Sequence, residues 1–153
     1  MIPLLDTRGL LPVGIHSATI DEINASHLCD SAYRAEIFSS LLKFMRIELL
    51  PACVDFYIDI GGSFVTDKPI PTDIDVTLRI PILSIADAAQ TMQSLGNIAG
   101  RQWVYNEYRV DFYFTLEGCG NDFSAFFQYV GDKTGAQKQL PSTELKGILR
   151  IQL

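Results

Sequence analysis

Apolar residues recur at helical spacing between positions 31 and 50. The positions that share this face are Ile37, Phe38, Leu41, Leu42, Met45 and Leu49. The pattern predicts a helix over about residues 31–50, which ends at Pro51 because proline lacks a backbone N–H. Upstream, Thr19 and Glu22 have the spacing of a capping box, which predicts a short helix through about Leu28.

Two segments rich in β-formers follow this helix. The first, "CVDFYIDI", predicts a strand at about residues 54–60, and the second predicts a strand at residues 74–80. Ser84 and Asp87 then have the spacing of an N-terminal cap, so we expect a helix that runs to about Leu95.

The last third of the chain mixes aromatic and polar residues. The segment "RQWVYNEYRVDFYFTL" predicts a hairpin with strands at residues 102–105 and 109–116 and a turn at 106–108. A short helix is predicted in "NDFSAFFQYVG", capped by Asn121 or Asp122. The tail "LKGILRIQL" predicts a last strand.

The order of these elements is typical of an α+β fold with a mixed sheet flanked by helices. Residues 1–17 contain two prolines and two glycines between pairs of leucines, which predicts an extended arm that packs against the domain. The length of 153 residues fits one domain, and a hydrophobic content of 48 % is enough to build its core.

Composition then narrows the classes of function. The formal net charge of −6 disfavours binding to a long nucleic acid, which requires clustered Lys and Arg. It still allows one nucleotide to bind through a metal ion, because the ion brings its own positive charge. No apolar run is long enough to span a membrane and the N-terminus lacks a signal-peptide pattern, so we expect a cytoplasmic protein. The three scattered cysteines predict neither a disulfide framework nor a zinc site.

The candidate chemistry lies in "GGSFVTDKPIPTDIDV", residues 61–76. Asp73 and Asp75 alternate with Ile74 and Val76, so the two carboxylates share one face of a strand and repel each other. A divalent cation such as Mg²⁺ relieves this repulsion, whereas a solvated strand face tolerates both acids without a ligand. The pair alone leaves both interpretations open.

Gly62 and Ser63 follow the preceding strand. A Gly-Gly-Ser turn exposes consecutive N–H groups and a hydroxyl, which suits phosphate oxygens, although ordinary glycine-rich turns have the same composition. Lys68 is either another phosphate contact or a solvated loop lysine. In the tail, Lys146 and Arg150 reach a phosphate only if the tail folds back towards this turn.

The same stretch resembles the signature of the polymerase-β-type nucleotidyltransferase superfamily. That signature is a Gly-Ser pair, a short spacer, and two acids that alternate with hydrophobic residues. Gly62 and Ser63 match the pair, and Asp73 and Asp75 match the acids. The best match to the third carboxylate of the family is Asp111 in "YRVDFYF".

The two ends of the chain carry a second resemblance. "IPLLDTRGLLPVGIH" and "KGILRI" are similar to the ends of a small, uncharacterised bacterial family of nucleotidyltransferase-like proteins. The resemblance therefore covers nearly the whole chain, with its motif-bearing core at residues 54–116. It implies a nucleotidyltransferase-like fold in a single domain, residues 1–153.

The resemblance also implies roles for the site residues. Asp73, Asp75 and Asp111 would bind Mg²⁺ or Mn²⁺, and Asp111 would also orient or deprotonate an acceptor hydroxyl. Gly62 and Ser63 would bind the β and γ phosphates of a nucleoside triphosphate, with Lys68 as a further candidate.

Two functions from different classes follow. The first is transfer of a nucleoside monophosphate from a triphosphate to a hydroxyl of a protein or small molecule. The second is a non-catalytic antitoxin or binding subunit that acts through a partner protein. All three acids are present, which favours catalysis, whereas no recognisable acceptor-binding segment follows Asp111, which favours a partner. The chain also has Asp67 and Lys68 where the family often has a glycine or an arginine.

Overall fold

The described part of the chain is an α+β structure built on one mixed, open sheet. The computed structural model describes residues 1–52, 57–81, 85–96, 98, 100–118 and 120–152. Its strands there are β1 (Gly14–Ser17), β2 (Tyr57–Gly61), β3 (Ile74–Ile80), β4 (Val110–Leu116) and β5 (Gly147–Gln152). Their order across the sheet is β1-β5-β2-β3-β4. The predicted α+β class is confirmed, and so is the strand predicted at residues 74–80.

The helices connect and cover these strands. In chain order they are α1 (Ile20–Asn24), α2 (Ala32–Phe44), α3 (Ile85–Leu95), α4 (Arg101–Tyr108), α5 (Phe123–Phe127) and α6 (Gly131–Lys138). The predicted capping box begins α1, since Thr19 Oγ1 accepts from the N–H of Glu22 and the Glu22 carboxylate accepts from the N–H of Thr19. A π-helical turn at Met45–Leu49 extends α2 over the remainder of the predicted helix. None of the described helices is long and apolar enough to cross a membrane.

Strand β3 separates an apolar face of the sheet from a polar one. Its alternate residues Ile74, Val76 and Leu78 are fully buried. They belong to the core that α2 covers, where the rings of Phe44 in α2 and Phe112 in β4 lie 5.2 Å apart. The residues between them point to the opposite face, so the strand places Asp75 on the polar side.

The predicted hairpin at residues 102–116 is wrong. Its first half is the helix α4, and β4 pairs with β3 in parallel. Val104 and Tyr108 are four residues apart and buried, and this spacing favours a helix over the strand that their β-propensity predicts. Arg109, in the left-handed conformation with φ 54°, ends the helix. A parallel pair requires a crossover connection, which α3 and α4 provide.

The N-terminal arm is part of the sheet. Its last residues form β1, which pairs in parallel with β5, the strand predicted in the tail. Leu10 and Leu11 are buried, and Leu10 forms an isolated antiparallel bridge to Thr66. The arm therefore contacts the segment between β2 and β3, which carries the candidate chemistry.

Two elements differ from the sequence predictions in other ways. Helix α6 was not predicted, because "GDKTGAQK" contains two glycines and little apolar character. One of them, Gly135, fits a close approach, since an added Cβ would lie 2.7 Å from the carbonyl oxygen of Leu140. The strand predicted over residues 54–60 is observed at Tyr57–Gly61, and the start predicted at residues 54–56 lies outside the described residues, as does the cap predicted at residue 84.

Candidate functional site

Three aspartates lie together on the polar side of the sheet. Asp75 in β3 is the register partner of Asp111 in β4, so their side chains point to the same side from neighbouring parallel strands. Asp73 immediately precedes β3 and is two residues before Asp75. The strand that carries Asp111 thus lies beside the strand of the acid pair.

The negative charges of these acids repel one another. Burial raises the pKa of Asp75 to about 6, and the carboxylates of Asp73 and Asp111 add to this shift. Burial and then Asp111 also raise the pKa of Asp73. Asp73 and Asp75 are therefore harder to ionise than an exposed carboxyl group, and a cation placed beside them would stabilise their ionised forms.

Arg101 provides one such cation from the first turn of α4. Its Nε donates to Asp111 Oδ1 at 2.6 Å and its Nη2 donates to Asp111 Oδ2 at 2.7 Å. The guanidinium also stacks over the ring of Tyr113, 4.2 Å from its centroid, and the Tyr113 hydroxyl donates to Asp111. Both oxygens of Asp111 are thus engaged, whereas Asp73 and Asp75 form no ion pair within the described residues.

The turn after β2 is shaped around Asp75. Gly62 has φ +65°, a conformation that side chains rarely adopt, and a Cβ built on it would overlap Asp75 Oδ2. A 3₁₀ turn, Gly62–Val65, begins here and places Ser63 next to the acids. A glycine is therefore required at position 62, both by the backbone and by the close approach of the carboxylate.

All six residues predicted from the sequence line one cleft of about 630 Å³. They are Gly62, Ser63, Lys68, Asp73, Asp75 and Asp111. We call this space the acidic cleft. Tyr105 of α4 and the start of α6, including Lys133, form its other walls. These walls were missed, because residues 102–105 were predicted as a strand and α6 was not predicted.

Residues 3–152 match the family described as "Family of unknown function (DUF6932)". The chain belongs to the DUF6932 family. No curated protein and no solved structure matches it. The match includes every residue of the acidic cleft and all five strands, so the sheet and the cleft belong to one family unit of the DUF6932 chain.

Two lysines give the acidic cleft of this DUF6932 protein a positive side. Lys68 lies on the segment between β2 and β3, and Lys133 lies in the first turn of α6. The charge of each lowers the pKa of Asp73, which counteracts the repulsion among the acids. Neither lysine has a carboxylate within 4 Å among the residues that the structure describes. Both are therefore available to a negatively charged ligand.

The C-terminal tail of the DUF6932 chain contacts residues next to the cleft. Lys146 is 1 % exposed, and its Nζ donates to the carbonyl of Phe127 at 2.7 Å. Burial lowers the pKa of Lys146 to about 8, and the charge of Asp75 opposes this shift. Arg150 donates through two nitrogens to Asp59, a buried residue on the neighbouring strand. Neither Lys146 nor Arg150 lines the cleft, so the idea that they contact a phosphate is not supported.

The donor set decides which ligands the cleft can accept. Across the described residues, no group of three or more His, Cys, Asp or Glu side chains is arranged as a metal centre. Asp73 and Asp75 nevertheless supply hard carboxylate oxygens, the type that Mg²⁺ prefers. Because Gly62 has no Cβ, the backbone of the turn can approach the Asp75 carboxylate closely. The pKa values of Asp73 and Asp75 are raised, so a cation bound beside them would stabilise their ionised forms.

Proposed function

We propose that this protein is a metal-dependent nucleotidyltransferase with a nucleotidyltransferase-like fold. It would transfer a nucleoside monophosphate from a nucleoside triphosphate to a hydroxyl of a protein or a small molecule. The observation that carries the proposal is the pairing of Asp75 with Asp111 across two parallel strands, with Asp73 and the Gly62–Ser63 turn in the same cleft. The net charge of −6 disfavours a long nucleic acid as the acceptor.

The residues present fit a bound Mg²⁺ or Mn²⁺. Asp73 and Asp75 would hold the ion, and Asp111 would join them once it is released from Arg101. When bound, the ion would neutralise phosphate charge and stabilise the oxygens that attack and leave. The cleft volume of about 630 Å³ is within the usual range of small-molecule sites.

The chain itself would bind and orient the triphosphate. Ser63 would donate its hydroxyl, and the turn at Gly62 its N–H groups, to the β and γ phosphates. Lys68 and Lys133, which both line the cleft, would supply positive charge. Asp111 would accept the proton of the acceptor hydroxyl as the hydroxyl oxygen forms a bond to the α-phosphorus. The bond between the α-phosphorus and the oxygen that bridges to the β phosphate would break, and pyrophosphate would leave.

A second candidate function is a non-catalytic antitoxin or binding subunit that acts through a partner protein. The observation that favours it is the ion pair between Arg101 and Asp111, because it occupies both oxygens of the group proposed to activate the acceptor. In that case the cleft would bind a nucleotide, or an anionic group of the partner, without transfer.

Incubation with each labelled nucleoside triphosphate and Mg²⁺ or Mn²⁺ separates the two functions. Labelling of the protein or of an added acceptor, with release of pyrophosphate, is the expected result. Asp111→Asn should retain nucleotide binding through Asp73 and Asp75 and lose transfer. Binding without transfer in the wild-type protein, with every nucleotide and both metals, would favour the binding subunit.

A further inference from the structure

Arg34 is a buried cation that the proposed function does not yet use. It lies in the first turn of α2 and is 4 % exposed. Its Nε donates to the carbonyl of Leu28 at 2.7 Å and its Nη1 to the carbonyl of Lys68 at 2.5 Å, while Nη2 donates to the carbonyl of Phe64. The guanidinium also lies over the Phe64 ring, 5.0 Å from its centroid. Its hydrogen bonds are therefore satisfied.

The charge of Arg34 is not neutralised by a nearby acid. Within the described ranges, no carboxylate lies within 4 Å of its nitrogens, and Asp30 and Asp67 act on it only from a distance. Burying an ion costs several kcal/mol even after the protein relaxes, so buried charges are ordinarily paired. A neutral donor could bind carbonyl groups without this cost, so the positive charge itself requires an explanation.

The carbonyls that Arg34 holds belong to the loop that carries the candidate phosphate contacts. Residues 62–72 form this loop, which joins the β2 turn to Asp73. Phe64 directly follows Ser63, and Lys68 lines the acidic cleft. The neighbouring Tyr33 donates its hydroxyl to the carbonyl of Pro71 at 2.9 Å. The first turn of α2 thus holds the 62–72 loop at three points, and neither Tyr33 nor Arg34 lines the cleft.

We propose that Arg34 is a positioning residue for triphosphate binding: it fixes Ser63 and Lys68 through their own loop and places a buried positive charge behind it that the β and γ phosphates neutralise. This inference rests on the proposed function, because that function supplies the anion. It differs from a purely structural role, since a structural tether needs no charge and affects every ligand of the cleft equally. The acid pair reaches the cleft from β3, so binding of a metal ion alone should not depend on Arg34.

The test compares tripolyphosphate, in the presence of Mg²⁺, with Mn²⁺ alone by calorimetry. Arg34→Met removes both the charge and the hydrogen bonds, and Arg34→Lys keeps the charge. Tyr33→Phe is the matched control, because it removes one hydrogen bond to the same loop and no charge. We expect Arg34→Met to weaken tripolyphosphate binding by at least about tenfold, the factor that corresponds to ~1.4 kcal/mol, and to leave Mn²⁺ affinity within about twofold. Arg34→Lys should lose less tripolyphosphate affinity than Arg34→Met, and so should Tyr33→Phe, because it removes one contact to the loop and no charge.

If Arg34→Met loses affinity for tripolyphosphate and for Mn²⁺ equally, or loses affinity for neither, the inference is overturned. If Arg34→Met does not fold, Arg34→Gln, which removes the charge and keeps hydrogen-bond donors, decides: a selective loss of tripolyphosphate affinity supports the inference, and an equal loss of affinity for both ligands or no loss overturns it. Wild-type protein that transfers nucleotide but does not bind tripolyphosphate contradicts this inference and leaves the proposed function in place. Wild-type protein that does neither contradicts both.

Discussion

Asp75 and Asp111 occupy paired positions on two neighbouring parallel strands, with their carboxylates on the same side of the sheet. This arrangement concentrates negative charge at one point of the polar face, where Asp73 adds a third carboxylate. Arg101 neutralises part of this charge by binding Asp111, whereas Asp73 and Asp75 form no ion pair within the described residues.

Replacing Asp75 should stabilise the metal-free protein near neutral pH. The pKa of Asp75 is raised from 3.8 to about 6, chiefly by burial, so the folded state disfavours the ionised form. A raised carboxyl pKa contributes stability that is complete below about pH 4 and is lost as the pH rises through about 6. The free energy of unfolding of Asp75→Asn should therefore exceed that of the wild type by roughly 3 kcal/mol at pH 7, since each pKa unit corresponds to ~1.4 kcal/mol, and the advantage should vanish below about pH 4.

Urea unfolding at several pH values, with chelator present, measures this difference. An advantage that is the same at pH 4 and pH 7, or a wild type that is the more stable at pH 7, would show that Asp75 is not held in this charged environment. Added Mg²⁺ should reverse the order at pH 7, because only the wild type gains from the ion.

A methyl group at position 62 should disrupt the site more than the fold. Gly62→Ala places a left-handed conformation on alanine, at a cost of about 1 kcal/mol, and also forces the Cβ into the Asp75 carboxylate. Gly118→Ala is a matched control, because Gly118 has φ +79° and a Cβ there would meet nothing within 4 Å. The left-handed conformation should lower the free energy of unfolding by a similar amount in both variants. Only Gly62→Ala should also lose binding of Mn²⁺. Equal Mn²⁺ affinity in the two variants would contradict the close approach at Asp75.

The residues of the site could be predicted from the sequence to the extent that they lie in one short motif. The stretch from residue 61 to residue 76 contains the turn, both acids and strand β3, whose alternation of Ile and Val with Asp is a local pattern. Asp111 was selected through the resemblance to the nucleotidyltransferase signature, as the best match to its third carboxylate. The strand predicted around it at residues 109–116 is observed at Val110–Leu116.

The walls of the cleft were missed where local propensity and tertiary packing disagree. Residues 101–108 contain Trp, Val and two Tyr, which favour a strand, yet Val104 and Tyr108 are spaced to bury one helical face. Because that helix was predicted as a strand, Arg101 and Tyr105 could not be placed beside the acids. The spacing of four residues between Val104 and Tyr108 was the signal that could have indicated this helix. Helix α6 is held by backbone hydrogen bonds to residues 142 and 144, which no local pattern reveals.

Ser63 should contribute to the binding of triphosphates and not of monophosphates. Ser63→Ala removes one hydroxyl donor, and a hydrogen bond to a charged group is worth roughly 1.5 to 3 kcal/mol. The loss should appear with a nucleoside triphosphate and be nearly absent with the monophosphate, which lacks the β and γ phosphates. Ser39→Ala, an exposed serine of α2, serves as the control. Equal losses for both nucleotides in Ser63→Ala would remove Ser63 from its proposed position.

Arg101 should compete with a metal ion for Asp111. Arg101→Gln removes the guanidinium that engages both oxygens of Asp111, so the affinity for Mn²⁺ should rise by several-fold or more, on the order of 1 kcal/mol for a half-exposed ion pair. Arg8→Gln removes the same charge from an ion pair with Asp6 and Glu144, outside the cleft. Titration of Mn²⁺ followed by electron paramagnetic resonance compares the two variants. A rise of the same size in Arg8→Gln would indicate a general effect of net charge instead of competition at Asp111.

Asp73 and Asp75 are proposed to hold a divalent ion together with a nucleoside triphosphate. Calorimetric titration of ATP, GTP, CTP and UTP in the presence of Mn²⁺ compares wild-type protein with Asp73→Asn, Asp75→Asn and the exposed control Asp21→Asn. The wild type and Asp21→Asn should bind at least one triphosphate in a Mn²⁺-dependent manner, while Asp73→Asn and Asp75→Asn should remain folded and lose this binding. Unchanged affinity in both cleft variants, or no triphosphate binding by the wild type, would rule out the proposed metal and nucleotide site.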